Sequence, residues 1–104
     1  MFALSLLRPT SCNVFVAHAK NLAVSSNKGV LGHGLGAAGA LEAVATALTL
    51  RDQIAPPTAN FEEPDPECNL DVIPHVARRI PLRAGISNSF AFGGLNAVLM
   101  LGRA

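Results

Sequence analysis

Leu22-Ala23-Val24-Ser25-Ser26 is a short apolar run ending in polar residues, with a β-branched side chain at its centre, which is the pattern of a buried strand. A loop is expected from about Asn27. Gly29, Gly32, Gly34, Gly36 and Gly39 then crowd one stretch, and from Ala40 to Leu50 only Glu42, Thr46 and Thr49 interrupt an apolar sequence. Alanine and leucine lose little freedom on entering a helix, so one is predicted from about Leu35 to Arg51. A helix apolar on nearly every side belongs inside a packed structure, since a surface helix keeps a polar face. Arg51 closes it at the negative end of its dipole. A membrane span is not expected, because His33 and Glu42 lie within the stretch, its glycines weaken it, and it is barely long enough to cross ~30 Å.

Beyond Asp52 the pattern breaks. Ala55-Pro56-Pro57-Thr58 and Glu63-Pro64-Asp65-Pro66-Glu67 hold four of the seven prolines, a spacing that neither a helix nor a central strand tolerates. An extended surface segment with a short strand or two is predicted, ending near Pro74, its acidic run a solvated face. Leu82 to Ser89 and Leu95 to Leu101 then read as two strands joined by the loop Phe90-Ala91-Phe92-Gly93-Gly94. The second of them is continuously apolar and should be buried on both faces.

Composition narrows the class. The chain has 104 residues, half of them hydrophobic and 14% charged, enough for one domain or part of one and too apolar for a disordered chain. Eight Lys and Arg against seven Asp and Glu leave a net charge of +1, which creates no field to attract nucleic acid. Cys12 and Cys68 match neither a metal-ligand spacing nor a disulfide framework, so a reducing interior is expected. Met1 to Leu7 is too short for a secretory core, and its charge, Arg8, is on the wrong side. Before Glu42 there is no acid, which is permissive for an organelle presequence; the expected compartment is the cytoplasm or an organelle matrix.

Among candidate motifs, Gly34-x-Gly36-x-x-Gly39 matches the dinucleotide fingerprint only superficially: no predicted strand runs directly into Gly34, and Asp52 closes a helix where a ribose-binding acid would be sought. These are better read as helix-packing glycines. His33 precedes the long helix, where unpaired N–H groups and the positive dipole end disfavour an imidazolium. A neutral ring there can donate a hydrogen bond to a carbonyl oxygen that gains negative charge. The residues alone weigh more toward a buried histidine satisfied by backbone. Lys28, five positions earlier, could face the same pocket or simply be a surface lysine. Cys12 and Cys68 have no activating base or helix terminus and read as ordinary small residues. Phe90 to Gly94 fits a loop that approaches a ligand closely and, equally well, a hairpin turn capped by core aromatics.

Taken in order, Ser25-Ser26-Asn27-Lys28, Gly32-His33, Leu35-Gly36-Ala37-Ala38-Gly39-Ala40, Pro56-Pro57-Thr58, Pro64-Asp65-Pro66-Glu67-Cys68 and Ser87-Asn88-Ser89-Phe90 resemble the β-ketoacyl-acyl-carrier-protein synthases, the type II elongating enzymes of fatty-acid synthesis and their polyketide relatives. The likeness runs from about Val14 to Leu101; residues 1–13 match nothing recognisable. It implies an α/β chain, the C-terminal part of a thiolase-like fold with a mixed sheet and a buried helix, incomplete at that. The implied reaction is decarboxylative condensation of an acyl thioester with malonyl-carrier. By matching position His33 would be the second active-site histidine, Lys28 the active-site lysine, and Phe92, flanked by Phe90 and Gly93, the gating phenylalanine whose N–H joins the oxyanion hole. The nucleophilic cysteine and the first histidine would lie upstream of this part. Acyl carrier protein is the implied partner and a homodimer the implied state of the full enzyme, with no cofactor, metal, nucleic acid or membrane.

Five positions depart from the family pattern: Asn27 and Leu31 stand for Thr, Gly34 for an apolar residue, Ala91 for Gly and Leu95 for Thr. Ala91 bears on gating, since glycine there would reach conformations costly to alanine. Two functions from different classes follow: a carbon-carbon bond-forming acyltransferase represented by a fragment, or a non-catalytic remnant or module that pairs with a partner supplying the rest. In either case half of a sheet sandwich leaves apolar surface open, and the isolated chain should self-associate.

Overall fold

The computed structural model defines residues 15–66 and 70–104. Cys12 and Cys68 lie outside the described residues, as does the expectation placed on residues 1–13.

A 3-10 turn, Val16–Asn21, leads into β1, Ala23–Val24, the centre of the strand expected over Leu22 to Ser26. The segment expected to be a loop then coils into one helical turn, α1, Lys28–Leu31, because the N–H groups of Val30 and Leu31 both donate to the Asn27 carbonyl at 3.1 and 2.9 Å. After a second 3-10 turn, Leu35–Ala37, the long helix α2 runs Ala38–Asp52, within three residues of its predicted start. The proline-rich region carries two short strands, β2 at Ile54–Ala55 and β3 at Asp71–Val72, and a third, β4 at Arg78–Arg79, lies beyond its expected end near Pro74. The two terminal strands are β5, Ala84–Phe90, and β6, Asn96–Gly102.

Three two-stranded pairings result: β1 with β3 in parallel, β2 with β4 antiparallel, and the β5–β6 hairpin antiparallel from Ala84 opposite Gly102 to Phe90 opposite Asn96. Helix α2 lies against β5. A Cβ on Gly85 would sit 2.7 Å from Thr46 Cγ2, closer than real side chains approach, so glycine is what lets helix and strand meet. At the other end of the strand a Cβ on Gly39 would come within 3.7 Å of Ser89 Oγ. The strand therefore runs back along the helix and delivers Phe90 to the helix N-terminal end.

The C-terminal end of α2 is tied by one side chain. Gln53 adopts φ 57° and closes the helix, its N–H donating to the Thr49 carbonyl at 2.9 Å. Its Nε2 donates to the carbonyls of Leu50 (2.6 Å) and Leu82 (3.0 Å), while its Oε1 accepts from the Leu82 N–H at 2.7 Å. The Gln53 carbonyl accepts the Ile80 N–H at 3.1 Å, so the amide and backbone of one residue join the helix to the segment leading into β5.

Two expectations about burial are corrected. Helix α2 was expected to be interior, yet Leu50 is its one buried residue, and Leu41, Val44 and Leu48 are exposed. Strand β6 was expected to be covered on both faces, yet Val98, Leu99 and Met100 stand open. An all-round apolar helix and a two-faced apolar strand each require cover from two sides; the described residues cover α2 from the β5 side and leave both faces of β6 largely open. Among the described residues the buried apolar ones are few: Ala19, Leu50, Ala55 and Ile73.

Candidate active site

Lys28 is the first residue of α1, and its Nζ forms an ion pair with Glu42 Oε1 on α2. The two heads are part-buried, at 36% and 20% side-chain exposure, where a charge loses some of its water and a partner compensates for it. Together they line a small cleft of about 10 Å³ with Asn27, Leu31, Gly32, Ala38 and Leu41. In the sequence Glu42 stands only as a polar interruption. A carboxylate in the apolar body of a helix asks for a cation, but the partner lies fourteen residues earlier in another element, and no periodicity links the two.

His33 does not line that cleft. Its ring is exposed and does not take the place of a core histidine, although backbone does satisfy one of its nitrogens: Nδ1 accepts the Leu35 N–H at 3.1 Å. The bond requires a lone pair on Nδ1. In the neutral ring the proton then resides on Nε2, which is left facing outward as a donor. Leu35 itself has φ 49°, a left-handed conformation rare for leucine. Gly32, immediately before His33, also has positive φ, 75°. The segment entering Gly34 is helical α1 followed by a turn, so the strand that a dinucleotide fingerprint needs is not there.

The phenylalanine loop leaves β5 at the same end of α2. Phe90 is half-buried, whereas Phe92 is fully exposed, at 103% of its reference area, and so is not a core aromatic. Gly93 and Gly94 have φ of 81° and 79°, a region that disfavours any Cβ. The Ala91 N–H donates to the Leu95 carbonyl at 2.8 Å and closes the loop. Ala91 itself is extended, φ −119° and ψ 162°, so alanine is unstrained in this conformation. The elements thus gather the His33 turn, the Lys28–Glu42 pair and the Phe92 loop around one end of α2, while a groove of about 450 Å³ between Val30, Leu31, Leu48, Ile54 and Pro57 includes none of these side chains. Among the described residues no three His, Cys, Asp or Glu gather to hold a metal ion, and no helix is long and apolar enough to cross a membrane.

A parallel-paired βαβ entry, a long helix and a terminal hairpin laid along it define part of a thiolase-like ketosynthase fold. The family described as "Beta-ketoacyl synthase, C-terminal domain" matches residues 10–62, a span that includes Lys28, His33 and Glu42. The chain belongs to this β-ketoacyl synthase family. Among relatives, it is 54% identical over 89 residues to 3-oxoacyl-[acyl-carrier-protein] synthase 2 of Coxiella burnetii, which covers 86% of this chain and 22% of that protein. It is 50% identical over 86 residues to nodulation protein E of Rhizobium sp. strain N33, covering 83% of this chain and 21% of the relative. A solved β-ketoacyl synthase from Burkholderia phymatum superposes with TM-score 0.76 at 44% identity, over 80% of this chain and 21% of that one. A ketosynthase bound to the hexaketide, in complex with its type II acyl-carrier protein, gives TM-score 0.89 at 32% identity, over 93% and 24%. The chain spans about a fifth of the length of the curated relatives it matches.

Proposed function

We propose that this chain supplies the C-terminal part of the active site of a β-ketoacyl-acyl-carrier-protein synthase in fatty-acid synthesis. The observation that carries the reading is the exposed His33 ring with Nδ1 engaged by the Leu35 N–H; in the neutral ring that places the proton on Nε2, where it can donate. In the reaction, malonyl thioester breaks its carboxylate carbon-carbon bond and releases carbon dioxide, and the electron pair passes into an enolate. Nε2–H of His33 hydrogen-bonds the thioester oxygen as it becomes anionic. The enolate carbon then attacks an acyl thioester on a cysteine, a carbon-carbon bond forms, and the cysteine leaves as thiolate. That cysteine is assigned to the portion of the enzyme upstream of the part matched here; Lys28, held by Glu42, keeps a positive charge near the decarboxylating group, and the Phe92 loop covers the acyl thioester. Acyl carrier protein is the partner that delivers both substrates. The names of the relatives, 3-oxoacyl-carrier synthases and a ketosynthase with its acyl-carrier protein, support the reading.

The test is a condensation assay with acyl-carrier and malonyl-carrier, reading the β-ketoacyl product by mass spectrometry. The chain alone is expected to be inert, and to restore activity to a synthase truncated of its matching region. Turnover by the chain alone that is abolished by Cys12→Ala or Cys68→Ala would place the nucleophile here and overturn the assignment. One observation favours a second reading, a non-catalytic module that seats against a larger partner: the open apolar faces of α2 and β6. Under that reading the mixture forms a complex on a sizing column and makes no product, whereas a monodisperse, cooperatively unfolding monomer that binds nothing defeats it.

A further inference from the structure

We infer that Thr58 is a positioning residue for Lys28, holding α1 in the place where its ammonium meets Glu42; this rests on the reading that Lys28 belongs to the condensing site. Helix α1 is four residues long, with no side-chain hydrogen bond capping its N-terminus. A single turn of helix has no stability of its own, so something outside it fixes where it lies. Thr58 provides that support. Its Oγ1 accepts the Ser26 N–H at 3.1 Å across thirty-two residues, two positions before Lys28.

The backbone of Thr58 is itself anchored in the core. Its N–H donates to the Ile73 carbonyl at 2.8 Å, and the Ile73 N–H donates to the Val24 carbonyl at 3.0 Å. Ile73 is 1% exposed, the most enclosed large side chain described. Pro56 and Pro57 limit the conformations of the segment just ahead. The next residue meets α1 directly: a Cβ on Gly29 would lie 3.1 Å from Ala59 Cβ and 3.2 Å from the Ala59 carbonyl oxygen, a backbone neighbour with little room to yield. Thr58 and Ala59 thus hold α1 from one side by a hydroxyl and by close approach, and Glu42 ties it to α2 on the other. Pro56-Pro57-Thr58 therefore acts on the site without touching substrate.

The experiment uses the full 104-residue chain and needs no turnover. A double-mutant cycle of Lys28→Met and Glu42→Gln, read by urea unfolding, is run with Thr58, Thr58→Ser and Thr58→Val. The Lys28–Glu42 coupling is expected to change the unfolding constant about two- to fivefold with Thr58 and with Thr58→Ser, and to vanish with Thr58→Val, which keeps shape and loses the hydroxyl. A merely structural role would lower stability and leave the coupling intact, and that result overturns the inference. Hydrogen exchange supplies a second reading: the Ser26, Val30 and Leu31 amides are expected to exchange at least tenfold faster in Thr58→Val while β5 amides keep their rates. Uniform change overturns it. Should Thr58→Val not fold, Thr58→Ala removes the hydroxyl instead, and an unchanged coupling there is equally decisive. Failure of the condensing reading is separately visible: a cycle that follows this pattern in a chain that never restores synthase activity keeps the Thr58 strut and removes the catalytic purpose of Lys28.

Discussion

The two ends of helix α2 are built on different terms. At the C-terminal end Gln53 spends its amide and its backbone on five hydrogen-bonded connections reaching Thr49, Leu50, Ile80 and Leu82, and Gly85 presses the strand onto Thr46. At the N-terminal end the backbone passes through positive φ at Gly32, Leu35, Gly93 and Gly94, and His33 and Phe92 stand in the open. The first end fixes the helix against the hairpin; the second keeps donors and an aromatic ring available. Such a division is what a site requires, since groups meant to meet a substrate cannot also be consumed by the core.

If the division is real, the largest effect belongs to the open end. His33→Ala is expected to lower condensation in the restored synthase by ~10²–10³ while leaving the urea midpoint of the chain unchanged, because one oxyanion donor is lost and no packing with it. A matching fall in stability would show that the ring belongs to the fold. Gln53→Ala is expected to invert that pattern, costing about 1–3 kcal/mol in unfolding free energy as Leu82 and Leu50 backbone groups lose their partner. Gly93→Ala should cost ~1 kcal/mol, as alanine resists φ near 81°, with a disproportionate drop in turnover if the Phe92 loop serves the site.

The smallest effect concerns charge at the closed end. Arg51 Nε donates to Asp52 Oδ1 at 2.7 Å and Nη2 to Oδ2 at 3.0 Å, and this hydrogen bonding, followed by the attraction between the charges, raises the guanidinium pKa. The same hydrogen bond holds the Asp52 carboxyl below its ordinary value, opposed by desolvation and aided by the attraction of the Arg51 charge. A carboxyl whose folded pKa is depressed contributes stability above its unfolded pKa and loses it as pH falls through the folded value. Asp52→Asn is therefore expected to lower the urea midpoint slightly at neutral pH and not at all in strong acid, and the difference should shrink in high salt because the pair is exposed. A difference that grows on acidification contradicts this.

Much of the architecture was legible in residue pattern. Alanine and leucine from Ala40 to Leu50 specify α2, and the β-rich runs on either side of Phe90 to Gly94 specify the hairpin, because these signals are local. Burial was not legible in the same way. The apolar circumference of α2 and the two apolar faces of β6 record how much cover these elements can use, whereas the described residues cover α2 from the β5 side and leave β6 open. The short strands β2, β3 and β4 escaped exact placement because two residues carry no period.

For the site, the ordered motifs around Lys28 and His33 marked the candidate residues, since glycine, histidine and lysine at those spacings are written directly in the chain. The partners of those residues were decided by tertiary structure. Glu42 reaches Lys28, Thr58 reaches Ser26, and the Leu35 N–H meets His33 in a turn whose left-handed Leu35 its residue type does not announce. Sequence fixes which groups can donate, accept or carry charge; only folding brings a donor within about 3 Å of an acceptor dozens of residues away, and it is that distance which turns a side chain into a support or a site.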